Sequence, residues 1–326
     1  MRHYNRSMRR LIVIAVVALS ALMVRGDVND IRYSIRQQIV TFINRDRAIY
    51  GLPPVLLDDA VSALGDEYCR VQIRNRTTGH FTLDGLPPYM RYSFAGVNDA
   101  VSENAAAWSA TYGFNDRALY EMARRTEDAM MSETPPHDGH KRTILDPHAT
   151  HVGIGIAWER GELRIVHEFL RRYVDWTKPL PRHAQLGRAV SASGRAKRGV
   201  RIDSITVHYE PLPRPMLASV ANLIDSYSLP NRRREYLPRL KSEYTRRADG
   251  TLEIIRREYS DGRRGDFPLS DDGAFSFEVP FPDGPGVYTV VVWVRPNGSQ
   301  TPFAASNVSI RVDAPPSGAN ALGGTR

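Results

Sequence analysis

Residues 137–169, HDGHKRTILDPHATHVGIGIAWERGELRIVHEF, decide the fold. Their second half alternates apolar with polar or small residues on both sides of a short turn at 159–162, and a period of two around a Gly-containing turn predicts a β-hairpin. Gly153 and Gly155 would weaken such a strand, so they indicate that another group approaches its backbone closely. The first half holds four histidines within fifteen residues. By itself the stretch fits either a functional cluster feeding a sheet or a core strand beside a surface loop.

Two helices are predicted well upstream of the hairpin. Residues 28–47 carry apolar side chains at helical spacing, and Gly-Leu-Pro-Pro at 51–54 ends the segment. Asp58 and Asp59 are suited to capping a second helix. Cys69 lies on that helix and, as the single cysteine, cannot form an intrachain disulfide, so we predict a small buried side chain.

A third helix is predicted from Asn115 or Asp116 to about Glu133, after a loop-rich stretch that contains His80. On a helical projection Glu133 falls within the apolar face of this helix, and Glu127 falls at the edge of that face. A carboxylate that points inward is costly unless it has a partner. Both glutamates are therefore candidates for a site.

The composition and the hydrophobic pattern of the chain change after Trp176. Residues 177–199 are rich in Pro, Ser, Gly and charge and show no apolar period, which predicts a linker. Short β-like runs separated by turn signals follow, and they predict a β-sandwich-like domain over 200–314 with an irregular insertion at 211–247. The predicted strands cover 200–209, 252–259, 274–279, 287–294 and 302–312.

Both ends of the chain carry separate signals. Residues 1–10 are basic and residues 11–24 are uncharged and apolar, so residues 1–26 are predicted to be a signal peptide that directs export to the cell envelope or the extracellular space. If this segment stays uncleaved, it gives the only contact with a membrane that we expect. Residues 315–326 are predicted to be a disordered tail. The net charge is +8, but Arg residues occur in every segment mixed with Asp and Glu, and no run of five or more basic residues appears, which argues against a nucleic-acid partner.

Residues 28–176 resemble the CAP superfamily of cysteine-rich secretory, antigen 5 and pathogenesis-related proteins, and are most similar to its bacterial secreted, SCP-like branch. Five segments carry the resemblance in the family's order, and together they imply an α-β-α sandwich within the α/β class as the fold of residues 27–176. The segments are NRDRAIYGLPPVLLDD from 44, GHFTLDGLPPYMR from 79, SENA from 102, GHKRTILDP from 139 and THVGIGIA from 150.

The resemblance also implies a cleft in which two histidines and two glutamates can hold a divalent cation. His80, Glu103 and His140 match the family pattern residue for residue. Glu133 stands at the position of the second glutamate but lacks the tryptophan three positions earlier, so Glu127 remains the alternative. Imidazole and carboxylate donors suit a cation such as Zn²⁺. A purely structural hydrogen-bonded cluster of the same four residues is the other interpretation.

A second conceivable ligand set combines His140 with three further histidines, His137, His148 and His151, although exposed loop histidines are common. No G-x-S-x-G or P-loop motif occurs, and His167-Glu168 lacks the second histidine of a zincin.

We therefore expect a secreted or envelope-associated protein whose cleft binds a divalent cation or a small ligand without catalysis, with an envelope or extracellular partner for the β domain. The alternative is a metal-dependent hydrolase of peptides or esters in which Glu103 or Glu133 acts as general base on metal-bound water.

Overall fold

The computed structural model describes residues 31–315. The predicted signal peptide at 1–26 and nearly all of the predicted tail lie outside the described residues. None of the helices within 31–315 has the length and apolar composition needed to cross a bilayer.

The first half of the described chain is an open four-stranded sheet with helices on both faces. Helix α1 covers 31–49. The sheet has the order β1-β3-β4-β2, with β1 parallel to β3 and the other pairs antiparallel. The elements that follow α1 are β1 Leu56–Leu57, α2 Asp59–Asn75, α3 Pro88–Phe94, β2 Ala100–Ser109, α4 Asp116–Ser132, α5 Gly139–Ile144, β3 His151–Glu159 and β4 Glu162–Arg171.

The predicted hairpin is confirmed as strands β3 and β4. They are joined at Arg160 and Gly161, which both have positive φ, as a tight two-residue hairpin turn requires. Alternate residues of β3 face opposite sides of the sheet. Ile154 and Ile156 lie in a core with side chains from α1 and α4, whereas the glycines of β3 face α2. The predicted α/β class with an α-β-α layering is therefore confirmed.

Gly153 and Gly155 allow α2 to lie directly on the sheet. A Cβ atom added at Gly155 would lie 2.5 Å from the Cα atom of Gly65, and one added at Gly153 would lie 2.5 Å from Cγ1 of Val61. Both distances are shorter than carbon atoms tolerate. The close approach that the two glycines predicted is confirmed, and the approaching element is a helix.

Local sequence sets the helix ends. Asp58 accepts a hydrogen bond from the Val61 N–H at the start of α2, and Asn115 accepts one from the Ala118 N–H at the start of α4. Cys69 is buried and unpaired, as predicted. The stretch predicted to be loop-rich also contains the short helix α3, because Pro88 can start a helix where its missing N–H costs nothing.

The second half of the chain consists mainly of strands in two larger sheets, ordered β12-β7-β5 and β6-β14-β13-β8-β9, with β10 and β11 forming a separate two-stranded sheet. The two larger sheets enclose one apolar core. The elements are β5 Val174–Lys178, β6 His183–Gln185, β7 Val190–Ala196, β8 Val200–Glu210, α6 Ala218–Ala221, β9 Arg233–Tyr236, β10 Glu243–Arg246, β11 Leu252–Ile255, β12 Ala274–Val279, β13 Gly286–Pro296 and β14 Phe303–Asp313.

The prediction of a linker over 177–199 is wrong. This segment holds β6, β7 and the end of β5, and Leu180 and Ala192 lie in the core of the sandwich. Its strands are short, and β7 pairs with β12, which lies far along the chain. In strands this short, the alternation of apolar and polar residues is too weak to predict the strand. The strand is stabilised mainly by the strands with which it pairs.

The two halves share a buried polar contact. Strand β14 packs on α3 and β2, where the Asn307 side chain accepts a hydrogen bond from the Val101 N–H at 2.9 Å. The Ser93 hydroxyl accepts one from the Ser309 N–H, also at 2.9 Å. Between β8 and β9, the segment 211–232 returns to the first half, where Asn222 accepts a hydrogen bond from the Thr78 N–H. We call residues 211–232 the strap.

Candidate functional site

A polar cleft of about 570 Å³ lies where the predicted site residues meet. His80 comes from the loop after α2, Glu103 from β2, Glu133 from the residue that ends α4, and His140 from α5. All four line the cleft. Glu103 lies on a strand of the central sheet. Four separate elements thus converge on one concave surface.

His80 and Glu103 form a buried pair on one wall. The Nδ1 atom of His80 lies 2.8 Å from Oε1 of Glu103. The other carboxylate oxygen accepts a hydrogen bond from Arg91, which also donates to the His80 backbone carbonyl at 2.9 Å. Burial by itself raises the pKa of Glu103, but the Arg91 charge and the His80 hydrogen bond outweigh it, so this pKa lies below its usual value. Glu103 is therefore ionised, and both of its oxygens are occupied.

A second carboxylate lies beneath this wall. Glu168 is fully buried, accepts a hydrogen bond from the Tyr92 hydroxyl at 2.5 Å, and lies 3.8 Å from Arg91. Burial and then the neighbouring charge of Glu103 raise the pKa of Glu168 well above its usual value. The guanidinium of Arg91 also lies 3.5 Å from the ring centroid of Tyr68. Arg91 thus supplies the positive charge that allows Glu103 to be ionised inside the protein.

Glu133 and His140 form a matching pair among the residues that line the cleft. Glu133 follows the last helical residue of α4, and one of its oxygens contacts Nδ1 of His140. Its other oxygen accepts the backbone N–H of His140 at 3.0 Å and that of Lys141 at 3.4 Å. The carboxylate of Glu133 therefore fixes both the ring of His140 and the start of α5.

The two imidazoles share one arrangement. Each has its Nδ1 atom beside a carboxylate, and an ionised carboxylate only accepts, so Nδ1 carries the proton. In the neutral ring, Nε2 is then the nitrogen that can accept a hydrogen bond or bind a cation. Neither Nε2 has a hydrogen-bond partner among residues 31–315. A carboxylate behind Nδ1 is the usual way in which proteins orient a histidine that binds through Nε2.

Tyr227 of the strap completes the cleft. Its hydroxyl accepts the Glu103 N–H at 2.8 Å, and its ring stands edge-on to His80 with centroids 5.1 Å apart. Burial raises the pKa of the Tyr227 phenol, which keeps it neutral. The neighbouring Asp225 and Ser226 also line the cleft. The β-rich half of the molecule therefore contributes a wall to a site whose other residues lie in the first half.

Glu127 does not line the cleft. It is fully buried beside His167, with its Oε1 atom 3.1 Å from Nε2 of that ring. Of the two glutamates that the helical projection left open, Glu133 is the one that faces the cleft. The projection assumed an ideal helix through residue 133, whereas α4 ends at Ser132 and the backbone of Glu133 turns into an extended conformation.

The second histidine set is not assembled. His148 stacks on Phe303 with ring centroids 3.8 Å apart, and Nδ1 of His151 pairs with the Thr150 hydroxyl. Only His137 of the additional histidines lines the cleft with His140. Across residues 31–315, no group of three or more His, Cys, Asp or Glu side chains is arranged to hold a metal ion. A four-ligand set made by His80, Glu103, Glu133 and His140 is therefore not present as such.

Sequence reasoning missed three contributors to the site. Arg91, Glu168 and Tyr227 were not assigned to the site, because each acts through a partner that is distant in sequence. A weak signal existed for Arg91, because it lies within the conspicuous LPPYMR sequence after His80. Tyr227 lies in a stretch read as an irregular insertion, and nothing local linked it to His80.

Comparison with known proteins gives a coarse result. No family model matches the sequence, and no curated protein matches it. A search of solved structures returns an extracellular SCP-domain protein of Bacillus anthracis at 17% identity and TM-score 0.33, covering 42% of this chain and 40% of that one. It also returns an outer surface protein of Borrelia burgdorferi at 19% identity and TM-score 0.35, covering 43% and 93%. A third is Na-ASP-1, at 15% identity and TM-score 0.30, covering 42% of this chain and 36% of that one.

The chain thus spans less than half the length of the Bacillus anthracis protein. Because all three TM-scores are below 0.5, these likenesses carry no argument about the site.

Proposed function

We propose that this protein is a secreted or envelope-associated binding module whose cleft holds a hydrated divalent cation or a small polar ligand between His80 and His140. The supporting observation is the paired arrangement of the two imidazoles, each oriented by a carboxylate and each with Nε2 free of protein partners among the described residues. Two nitrogen donors suit Zn²⁺, with water or ligand atoms in the remaining positions. Glu103 and Glu133 then act as orienting partners of the imidazoles.

The same geometry disfavours hydrolysis. A general base needs a carboxylate oxygen that is free to take a proton from water. Both oxygens of Glu103 are occupied by His80 and Arg91, and both oxygens of Glu133 are occupied by the ring and backbone of His140. Binding without turnover is therefore the better supported function, and a metal-dependent peptide or ester hydrolase is the weaker one.

Calorimetric titration of the full mature chain with ZnCl₂ tests the proposal. We expect saturable binding that is lost in His80→Ala/His140→Ala, because that variant removes both Nε2 donors. The matched control is His148→Ala/His151→Ala, which removes two histidines outside the cleft and keeps the binding. Equal affinity in wild type and the first variant would mean that the four residues are a structural cluster.

Export is proposed from the N-terminal sequence alone. The mature chain should be recovered outside the cytoplasm and begin near Asp27. Recovery of only the full-length chain in a cytosolic fraction would contradict this.

A further inference from the structure

Strands β10 and β11 form a hairpin that stands apart from the two larger sheets of the second half. Within residues 31–315 they pair only with each other, and every residue of both strands is exposed. An isolated two-stranded hairpin is marginally stable in water, because neither of its faces is covered. Its composition is nevertheless rich in large apolar side chains, and an exposed apolar patch marks an interaction surface.

The two faces of this hairpin differ in chemistry. Residues paired across an antiparallel ladder point to the same side, and the register pairs Tyr244 with Ile254 and Arg246 with Leu252. Tyr244 is 70% exposed, Leu252 66% and Ile254 51%. This apolar-basic face, made by these four residues, carries no acidic side chain. The opposite face carries Glu243, Thr245, Glu253 and Ile255.

The surroundings of the hairpin are strongly basic. Residues 232–264 hold eleven Arg or Lys against six Asp or Glu, which is most of the chain's surplus of +8. Arg246 on the apolar-basic face and Arg256 directly after β11 make no ion pair with any residue in 31–315. In contrast, the acidic side chains of the opposite face are paired, Glu253 with Arg247 and Glu243 with Arg257. Uncompensated positive charge therefore lies on the same side as the exposed apolar residues.

We propose that the apolar-basic face of the hairpin docks on the surface of a membrane rich in anionic lipid. Leucine and isoleucine enter the headgroup–acyl boundary, tyrosine lies at the headgroup level, and arginine pairs with lipid phosphates. A soluble polyanion would use the arginines but leave the apolar side chains in water. A second copy of the chain would bring the same positive charges together. The bilayer is the partner that matches both the apolar and the charged part of the face.

Sedimentation of the full mature chain with lipid vesicles tests this proposal. We expect binding to vesicles that contain phosphatidylglycerol, little binding to phosphatidylcholine alone, and weakening as salt is added. Leu252→Ser/Ile254→Ser should lower the partition coefficient more than about tenfold, because two apolar side chains no longer enter the lipid. Arg246→Gln should lower it about fivefold. The matched control is Ile255→Ser, which makes the same chemical change on the opposite face and should keep the binding.

Other results would overturn the proposal. Absence of binding to phosphatidylglycerol vesicles at low salt, or equal loss in Ile255→Ser and Leu252→Ser/Ile254→Ser, would exclude this face as a membrane-docking surface. Binding to polyphosphate that is unaffected by the Leu252→Ser/Ile254→Ser change, without binding to vesicles, would identify a polyanion site instead. Concentration-dependent dimers that the same double substitution abolishes would identify a self-association face. The exposed positions leave the cores intact, so thermal unfolding should be unchanged in all variants and serves as the folding control.

Discussion

Glu127 and His167 are a titratable pair enclosed in the core. Their Oε1 and Nε2 atoms lie 3.1 Å apart, but the contact lacks hydrogen-bond geometry, and neither side chain has another hydrogen-bond partner among residues 31–315. Burial raises the pKa of Glu127 well above its usual value and lowers the pKa of His167 to about 3, so both side chains are neutral at neutral pH. A glutamate whose folded pKa exceeds its unfolded pKa contributes its full stability below the unfolded value of about 4.5 and loses it as pH rises.

Glu127→Gln should therefore be at least as stable as the wild type at neutral pH. The difference in the free energy of unfolding between Glu127→Gln and the wild type should shrink by up to about 1.4 kcal/mol per pH unit as the pH is lowered towards about 4.5. Urea unfolding across a pH series measures this difference. A loss of about 3 kcal/mol or more at neutral pH would instead mean that the pair is ionised. The helical projection placed Glu127 at the edge of the apolar face of its helix. It could not predict the contact with His167, because His167 lies on strand β4 and the packing of α4 against that strand is not encoded in local sequence.

At the scale of elements, the contact of α2 with β3 depends on glycine. Gly155→Ala should lower the free energy of unfolding by about 1–3 kcal/mol, because the new Cβ meets the backbone of Gly65. Gly139→Ala is the matched control, since an added Cβ there meets nothing within 4 Å and Gly139 has no positive φ. Chemical denaturation of both variants gives the comparison. Similar losses in the two variants would show that helix and sheet adjust easily to the added atom.

Elements with local signals could be predicted, and elements without them could not. Neighbouring residues encode the helix caps at Asp58 and Asn115 and the two-residue turn at Arg160 and Gly161. Helices α2 and α4 and the β3–β4 hairpin were therefore predicted closely. Strand β7 was missed because its sequence, VSASGRA, has few apolar residues and its stability comes from β12 and β5 on either side. Likewise the cleft histidines were predictable from motifs, whereas Arg91 was not.

At the scale of the whole molecule, Asn307 joins the two halves. Asn307→Ala leaves the partly buried Val101 N–H without its acceptor and should cost about 1–3 kcal/mol. If the halves unfold as one cooperative unit, the free energy of opening measured by amide hydrogen exchange should fall by the same amount in α3 and in β14. The exposed Asn297→Ala is the control and should change neither. Faster exchange confined to β14 would show that the halves unfold separately.

The packing of Tyr227 against His80 makes completion of the cleft depend on the order in which the chain is synthesised and folded. A ribosome makes all the cleft residues of the first half before it makes Tyr227, and the strap is flanked by β8 and β9, in a sheet that also includes the late strands β13 and β14. Until that sheet forms, the imidazole of His80 lacks its aromatic cover. The complete cleft therefore exists only in a chain that has been synthesised and folded almost to its end.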